Sequence, residues 1–212
     1  GLWRDLTDAL RGTHHDYTSG ALGRAIFLLA VPMVVEMMME SIFAVVDVFF
    51  VGRLGSGAVA TVGLTESLMI VIYTLAFGLS IGATATVSRR IGEKDYDGAA
   101  RAAVQVIILG ALVSGTLGLL GAAFAPQLLT LMGADAGVLG IGSGYARVLL
   151  GGSASAFLLF VVNAVFRGAG DPAMAMRTLI VANALNIVLC PMFIFGIGPF
   201  PKLGVLGAAV AT

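Results

Sequence analysis

Charge is scarce in this chain. Only 11% of its residues are Asp, Glu, Lys or Arg, against roughly a quarter in an ordinary soluble domain, and the 12 acids balance the 12 bases. An even balance leaves no basic face to neutralise phosphates, which argues against a nucleic-acid partner. Cysteine is scarcer still: Cys190 stands alone, so no disulfide forms within the chain. The two histidines, His14 and His15, are adjacent in a polar connector with no third ligand nearby, the pattern of solvated loop residues rather than of a metal site. No HExxH pattern occurs, and Cys190 has no histidine partner in the apolar runs. The chain therefore reads as a protein that is not an enzyme and that needs no cofactor.

What remains is apolar. Hydrophobic residues make up 58% of the chain, and the mean hydropathy is +1.01, which together describe an integral membrane protein. The 29 glycines suit the small-residue contacts by which membrane helices approach one another. About 20 residues cross the hydrocarbon and tilted helices need more. Uncharged runs and turn signals then place spans near 22–51, 58–88, 99–125, 137–166 and 172–195, with a sixth starting near 204. Asp171 followed by Pro172 reads as an N-cap and first helical residue for the fifth span. Residues 1–20 form a separate segment, of which 1–11 reads as an interfacial amphipathic helix, and residues 21–212 form the bundle.

Orientation follows from the basic residues. With the N-terminus in the cytoplasm, Arg4, Arg11, Arg24, Arg89, Arg90, Lys94, Arg101, Arg167 and Arg177 lie on the cytoplasmic side, leaving only Arg53, Arg147 and Lys202 opposite. That asymmetry favours a multi-pass protein of the cell membrane with its N-terminus inside. The segment 89–101, RRIGEKDYDGAAR, is then the one strongly charged loop, a solvated connector of balanced charge.

The first span carries the chemistry. Glu36, Glu40 and Asp47 recur at spacings of four and eleven residues, which brings all three within a wedge of roughly 40° on one helix face. An ionised side chain at the bilayer centre costs on the order of 2.5–3.5 kcal/mol or more, so this stripe faces protein or water rather than lipid. Asn183, Asn186 and Cys190 share a face of the fifth span within about 60°, and Asn163 of the fourth span is placed to meet them. The asparagines read either as interhelical glue or as part of a site. Glu36 and Glu40 read either as cavity lining for a cation or as structural acids kept protonated by burial. Met33, Met37, Met38 and Met39 offer an adaptable apolar wall or plain packing, and Glu66 reads as an interfacial or packing residue.

Several segments carry a resemblance in their order and spacing. Pro32, Asp47, Val51-Gly52-Arg53-Leu54-Gly55, Ala60 to Leu64, IGATATVSRRIG within 78–92, FRGAGD at 166–171, NIVLCPMFIF at 186–195 and GAAVAT at 207–212 together resemble the N-terminal half of the multidrug and toxic compound extrusion family. The resemblance covers nearly everything from Tyr17 onward. It implies an all-α membrane bundle, one six-helix lobe, its sixth helix truncated here, of a twelve-helix antiporter. It further implies export of organic cations or other amphipathic drugs against inward proton or sodium flow, with a C-terminal half as partner.

The same resemblance assigns residues. Asp47 matches the first-helix aspartate of the coupling site, where a proton or a sodium ion binds; Asn163 and Asn186 match polar positions around it, and Thr212 matches a sixth-helix hydroxyl. The inward polar faces of the first and fifth spans, read from the residues themselves, add Glu36, Glu40, Asn183 and Cys190 as the expected substrate-cavity set. Cys190 is a departure, because many relatives carry LDP where this chain carries LCP, and a thiol is a poor replacement for a carboxylate in a proton relay. A flippase for a lipid-linked precursor shares the lobe architecture and is the alternative, although a cavity built for phosphates is expected to be basic.

Overall fold

The computed structural model describes residues 21–212 together with Thr7, Ala9 and Leu10. Those three residues are helical and Ala9 is buried, while the rest of the expected amphipathic helix, with His14 and His15, lies outside the described residues. Six helices follow in order: α1 Leu22–Gly52, α2 Ser56–Gly92, α3 Tyr96–Leu131, α4 Ala136–Gly168, α5 Pro172–Phe195 and α6 Val205–Ala211. The first five are each long and apolar enough to cross a bilayer. At 31 residues α1 is about 46 Å long, so it either tilts or extends beyond the ~30 Å hydrocarbon layer.

Aspartates set three of the helix starts. Asp95 accepts a hydrogen bond from the Gly98 amide at 2.9 Å, Asp135 from Val138 at 2.8 Å and Asp171 from Met174 at 3.1 Å. Each supplies an acceptor to a first-turn N–H that has no helical partner. The Asp171-Pro172 start is therefore formed as the sequence suggests. The Asp95 cap changes the reading of 89–101: only Glu93–Asp95 lie outside helix. The expected charged loop is a tight turn held by exposed ion pairs, Arg89 with Glu93 at 2.9 Å and Arg90 with Asp95 at 3.2 Å. The third span also runs past its expected end near 125, because Pro126 does not break it. In a membrane helix, neighbouring helices and Ser/Thr side chains make such a proline tolerable.

Connections of three or four residues make α1 to α5 run alternately up and down. Packing is uneven. α2 and α4 share the most extensive seam, α3 packs on α4, and α1 lies along α5, whereas α1 and α2 touch only sparsely. The α2–α4 seam shows why small residues matter here. Thr84 donates to the Ala164 carbonyl at 3.0 Å and Ser88 to the Gly168 carbonyl at 3.1 Å, two bonds one turn apart on each helix. Gly168 makes the approach feasible, since a Cβ there would lie 2.9 Å from the Thr84 carbonyl oxygen. The core is filled by Met69, Ala76, Leu129, Tyr145, Phe157 and Val161. Outward faces carry Ile70, Val71, Leu112, Leu119 and Val188, as expected of surfaces solvated by lipid.

Candidate functional site

The acidic stripe of α1 faces inward. Leu28, Pro32, Glu36, Asp47 and Val51 are the buried residues of this helix, and Glu40 between them is half-buried. Two polar clusters result, one around Asp47 and one around Glu36, eleven residues or about 16 Å apart along the helix.

In the Asp47 cluster the Cys190 thiol donates to Asp47 Oδ1 at 3.7 Å. Cys190 is fully buried and Asp47 is 8% exposed. Among the described residues Asp47 has no ion-pair partner. Asn186 and Asn183 lie on the same buried face of α5, one and two turns below Cys190. Counted down from the Asp47–Cys190 contact, Glu40 and Asn183 fall level with each other, both seven residues away on parallel helices. Asn163 is buried on α4. Both side-chain polar atoms of Asn163 and of Asn186, with Nδ2 of Asn183, have no hydrogen-bond partner among the described residues. Buried amides in a membrane protein normally find partners, and these atoms have none among the described residues. Tyr145 of α4 is buried, and it and Glu66 of α2 stand within Coulombic reach of Asp47. Glu66 is exposed on this chain. Thr212 ends α6 exposed, its hydroxyl donating to the Ala208 carbonyl at 3.0 Å.

The Glu36 cluster corrects the picture of a uniformly acidic stripe. Glu36 Oε1 accepts from Arg167 Nη1 at 2.7 Å, both side chains largely buried. Arg167 reads in the sequence only as a cytoplasmic charge that sets orientation; here it reaches inward from the end of α4 and neutralises one of the three carboxylates. The signal for it is the lone base of the FRGAGD segment, placed at a helix end that returns to the level of the stripe. Glu40 lies within Coulombic reach of both partners and, among the described residues, has no ion pair. All three line a cavity of about 630 Å³ that opens where α1 and α2 separate. Met33 and Met37 form part of its wall, and Met38 does not. Asn183 and Cys190 are not among its lining residues, so the expected substrate-cavity set divides: Glu36 and Glu40 face this cavity, while Asn183 and Cys190 belong to the Asp47 level.

Ser80 also lines the cavity and sits within Gly78–Gly82, GLSIG, a G-x-S-x-G string that the sequence reading passes over. It is a helical residue in the middle of α2 rather than the tip of a strand-to-helix turn, so the exposed nucleophile geometry of a hydrolase is not formed.

The chain matches the MatE family model over residues 32–192. It belongs to that family. The FAD transporter of Shewanella oneidensis is 30% identical over 198 residues, covering 93% of this chain and 44% of that protein. The probable multidrug resistance protein YoeA of Bacillus subtilis is 31% identical over 190 residues, 89% of this chain and 41% of its own. A MOP superfamily transporter structure from Pyrococcus furiosus superposes with a TM-score of 0.83 at 34% identity, over 97% of this chain and 43% of that one. The chain thus spans less than half the length of the relatives it matches. As a MatE protein with five apolar spans it is a multi-pass membrane protein with the all-helical lobe architecture of the family.

Proposed function

We propose that this lobe, together with a C-terminal half, forms a secondary antiporter. It exports organic cations or amphipathic drugs across the cell membrane in exchange for protons or sodium, with the N-terminus in the cytoplasm. The observation that carries this reading is Asp47, a carboxylate buried inside a membrane helix bundle with a thiol donor and no basic partner among the described residues. A buried acid without a cation beside it stays in hydrocarbon only by binding a proton or a small cation.

The neighbouring groups suit that role. Asn186 and Asn163 are both buried with amide oxygens that have no hydrogen-bond partner among the described residues, and oxygens of this kind are what a sodium ion would take as ligands beside Asp47. Thr212 is assigned as a further oxygen contributed from α6. When Asp47 is ionised its charge favours a cationic substrate in the lobe; when it holds a proton or sodium that attraction is cancelled and the substrate leaves. Because the two ligands compete for one charge, the coupling is reciprocal. Cys190 offers no second carboxylate, so a single charge is exchanged at this level.

The test is substrate-induced proton release by the full-length transporter in detergent, with ethidium as substrate and Asp47→Asn as the variant. Release that vanishes in the variant supports the reading. Unchanged release overturns it, and lipid scrambling in proteoliposomes without cation exchange would support the flippase instead.

A further inference from the structure

The Glu36–Arg167 pair does more than neutralise two charges. The 630 Å³ cavity contains Glu36, Glu40 and Arg167, and when all three are ionised two carboxylates face one guanidinium, leaving a net charge of −1. Two further features point to an occupant. Glu36 is 4% exposed, and while Oε1 is held by Arg167 at 2.7 Å, Oε2 is buried with no hydrogen-bond partner. Ser80, also 4% exposed, lines the same cavity, and its buried hydroxyl has no hydrogen-bond partner among the described residues. Two unsatisfied buried oxygens beside one free carboxylate call for a ligand that donates hydrogen bonds and carries positive charge. Opposite them Phe77 and Phe160 pack with ring centroids 5.0 Å apart and line the wall, a surface suited to a flat aromatic cation.

We propose that Arg167 is a charge-selectivity device: it cancels Glu36, so that the cavity takes planar, apolar molecules with a single positive charge and rejects those with two. This rests on the export reading above and adds the substrate class to it. A monocation neutralises the cavity through Glu40 and receives the free edge of Glu36. A dication leaves one charge uncompensated against Arg167 in a weakly polar space, where like charges a few ångströms apart repel strongly.

Ethidium and propidium test this directly, since they share a phenanthridinium ring and differ in carrying one and two positive charges. Their affinities for the full-length transporter in detergent are read by fluorescence anisotropy. With Asp47 loaded with a proton or sodium, so that its charge does not add to the cavity's, wild type is expected to favour ethidium by about tenfold. Arg167→Gln is expected to reverse that ratio, because Glu36 and Glu40 then present two charges. Glu36→Gln combined with Arg167→Gln, which leaves Glu40 alone, is expected to restore the wild-type ratio, and because it carries no unpaired partner it serves where the single variant does not fold. Glu40→Gln is expected to weaken ethidium by about tenfold. A ratio that stays within about twofold of wild type in Arg167→Gln overturns the proposal, as does a Glu40→Gln protein that binds ethidium normally. Wild type that binds neither dye removes the export reading and this proposal together, whereas ethidium binding with an unmoved ratio removes this proposal alone.

Discussion

Replacing Gly168 by alanine separates two effects that helix propensity alone would merge. A Cβ at this position lies 2.9 Å from the Thr84 carbonyl oxygen and 3.0 Å from Val87 Cβ, and neither neighbour is the free end of a flexible side chain. α2 and α4 must therefore part by several tenths of an ångström. The movement stretches the Thr84–Ala164 and Ser88–Gly168 hydrogen bonds, each worth roughly 0.6 kcal/mol in membrane proteins, and adds about 1–3 kcal/mol of overpacking. The expected loss is about 2–4 kcal/mol. Gly152, on the same helix, has nothing within 4 Å of its added Cβ, so Gly152→Ala gains the usual ~0.5–1 kcal/mol of a helical alanine. Thermal unfolding of the full-length transporter in detergent, followed by size-exclusion chromatography, reads both. Opposite shifts in the midpoint are expected. A Gly168→Ala protein as stable as Gly152→Ala would refute the claim that this seam is at its closest approach. The seam also bears on function, because Arg167 precedes Gly168 and its reach to Glu36 is set by the same contact.

Four further outcomes follow from the same geometry. Glu36→Gln leaves Arg167 largely buried without its carboxylate and is expected to cost about 3–5 kcal/mol, a loss that Arg167→Gln in the same protein largely reverses; thermal unfolding of the three variants measures it. Asp171→Ala removes the acceptor of the Met174 amide and is expected to destabilise by about 1 kcal/mol without changing the ratio of ethidium to propidium affinity. Asn186→Leu deletes two unpaired buried polar atoms, so stability is expected to hold or rise while substrate-induced proton release is lost; a destabilised variant that still releases protons would show the amide to be structural. Thr212→Ala breaks only a bond to its own helix, so a midpoint shift within about 0.5 kcal/mol is expected, and any loss of coupling then reports on the hydroxyl's place in the site.

The spans were legible because charge is so scarce that each charged residue marks an end or a site. All five expected spans lie at α1 to α5, and the errors fall where a local rule was overridden. The third span, expected to end near 125, continues through Pro126 to Leu131. The run 89–101 reads as a loop because it is charged, yet charged residues also suit helix ends beyond the hydrocarbon, and the Asp95 cap starts α3 almost at once. The shared face of Glu36, Glu40 and Asp47 follows from helical period alone. Which of them is free does not, because Arg167 lies 131 residues from Glu36 in sequence and only the packing of α4 beside α1 brings it there. The orphaned polar atoms are likewise a tertiary property: an asparagine on an apolar helix looks the same whether or not a partner awaits it.

On the proposed reading, both ligands act through one rigid element. Glu40 and Asp47 are seven residues apart on α1, about 10 Å along its axis. At an effective dielectric near 20, ionised Asp47 attracts a cation at the level of Glu40 by about 1.6 kcal/mol. Loading Asp47 with a proton or sodium removes that attraction and weakens the cation by roughly fifteenfold, a coupling within the usual range for linked sites. Cys190 preserves this arithmetic. A carboxylate in its place would lie within 4 Å of Asp47, where two such groups do not ionise together, and the pair would still present one charge to Glu40 while holding an extra proton. The thiol therefore leaves the substrate-facing field intact and reduces the coupling level to a single exchangeable charge. Proton release per ethidium bound is accordingly expected to be close to one or below in wild type. Asp47→Asn removes the field as well as the proton, so it should weaken ethidium itself by about the same fifteenfold. Coupling that vanishes in the variant with ethidium affinity unchanged would show that the link runs through helix movement rather than through charge.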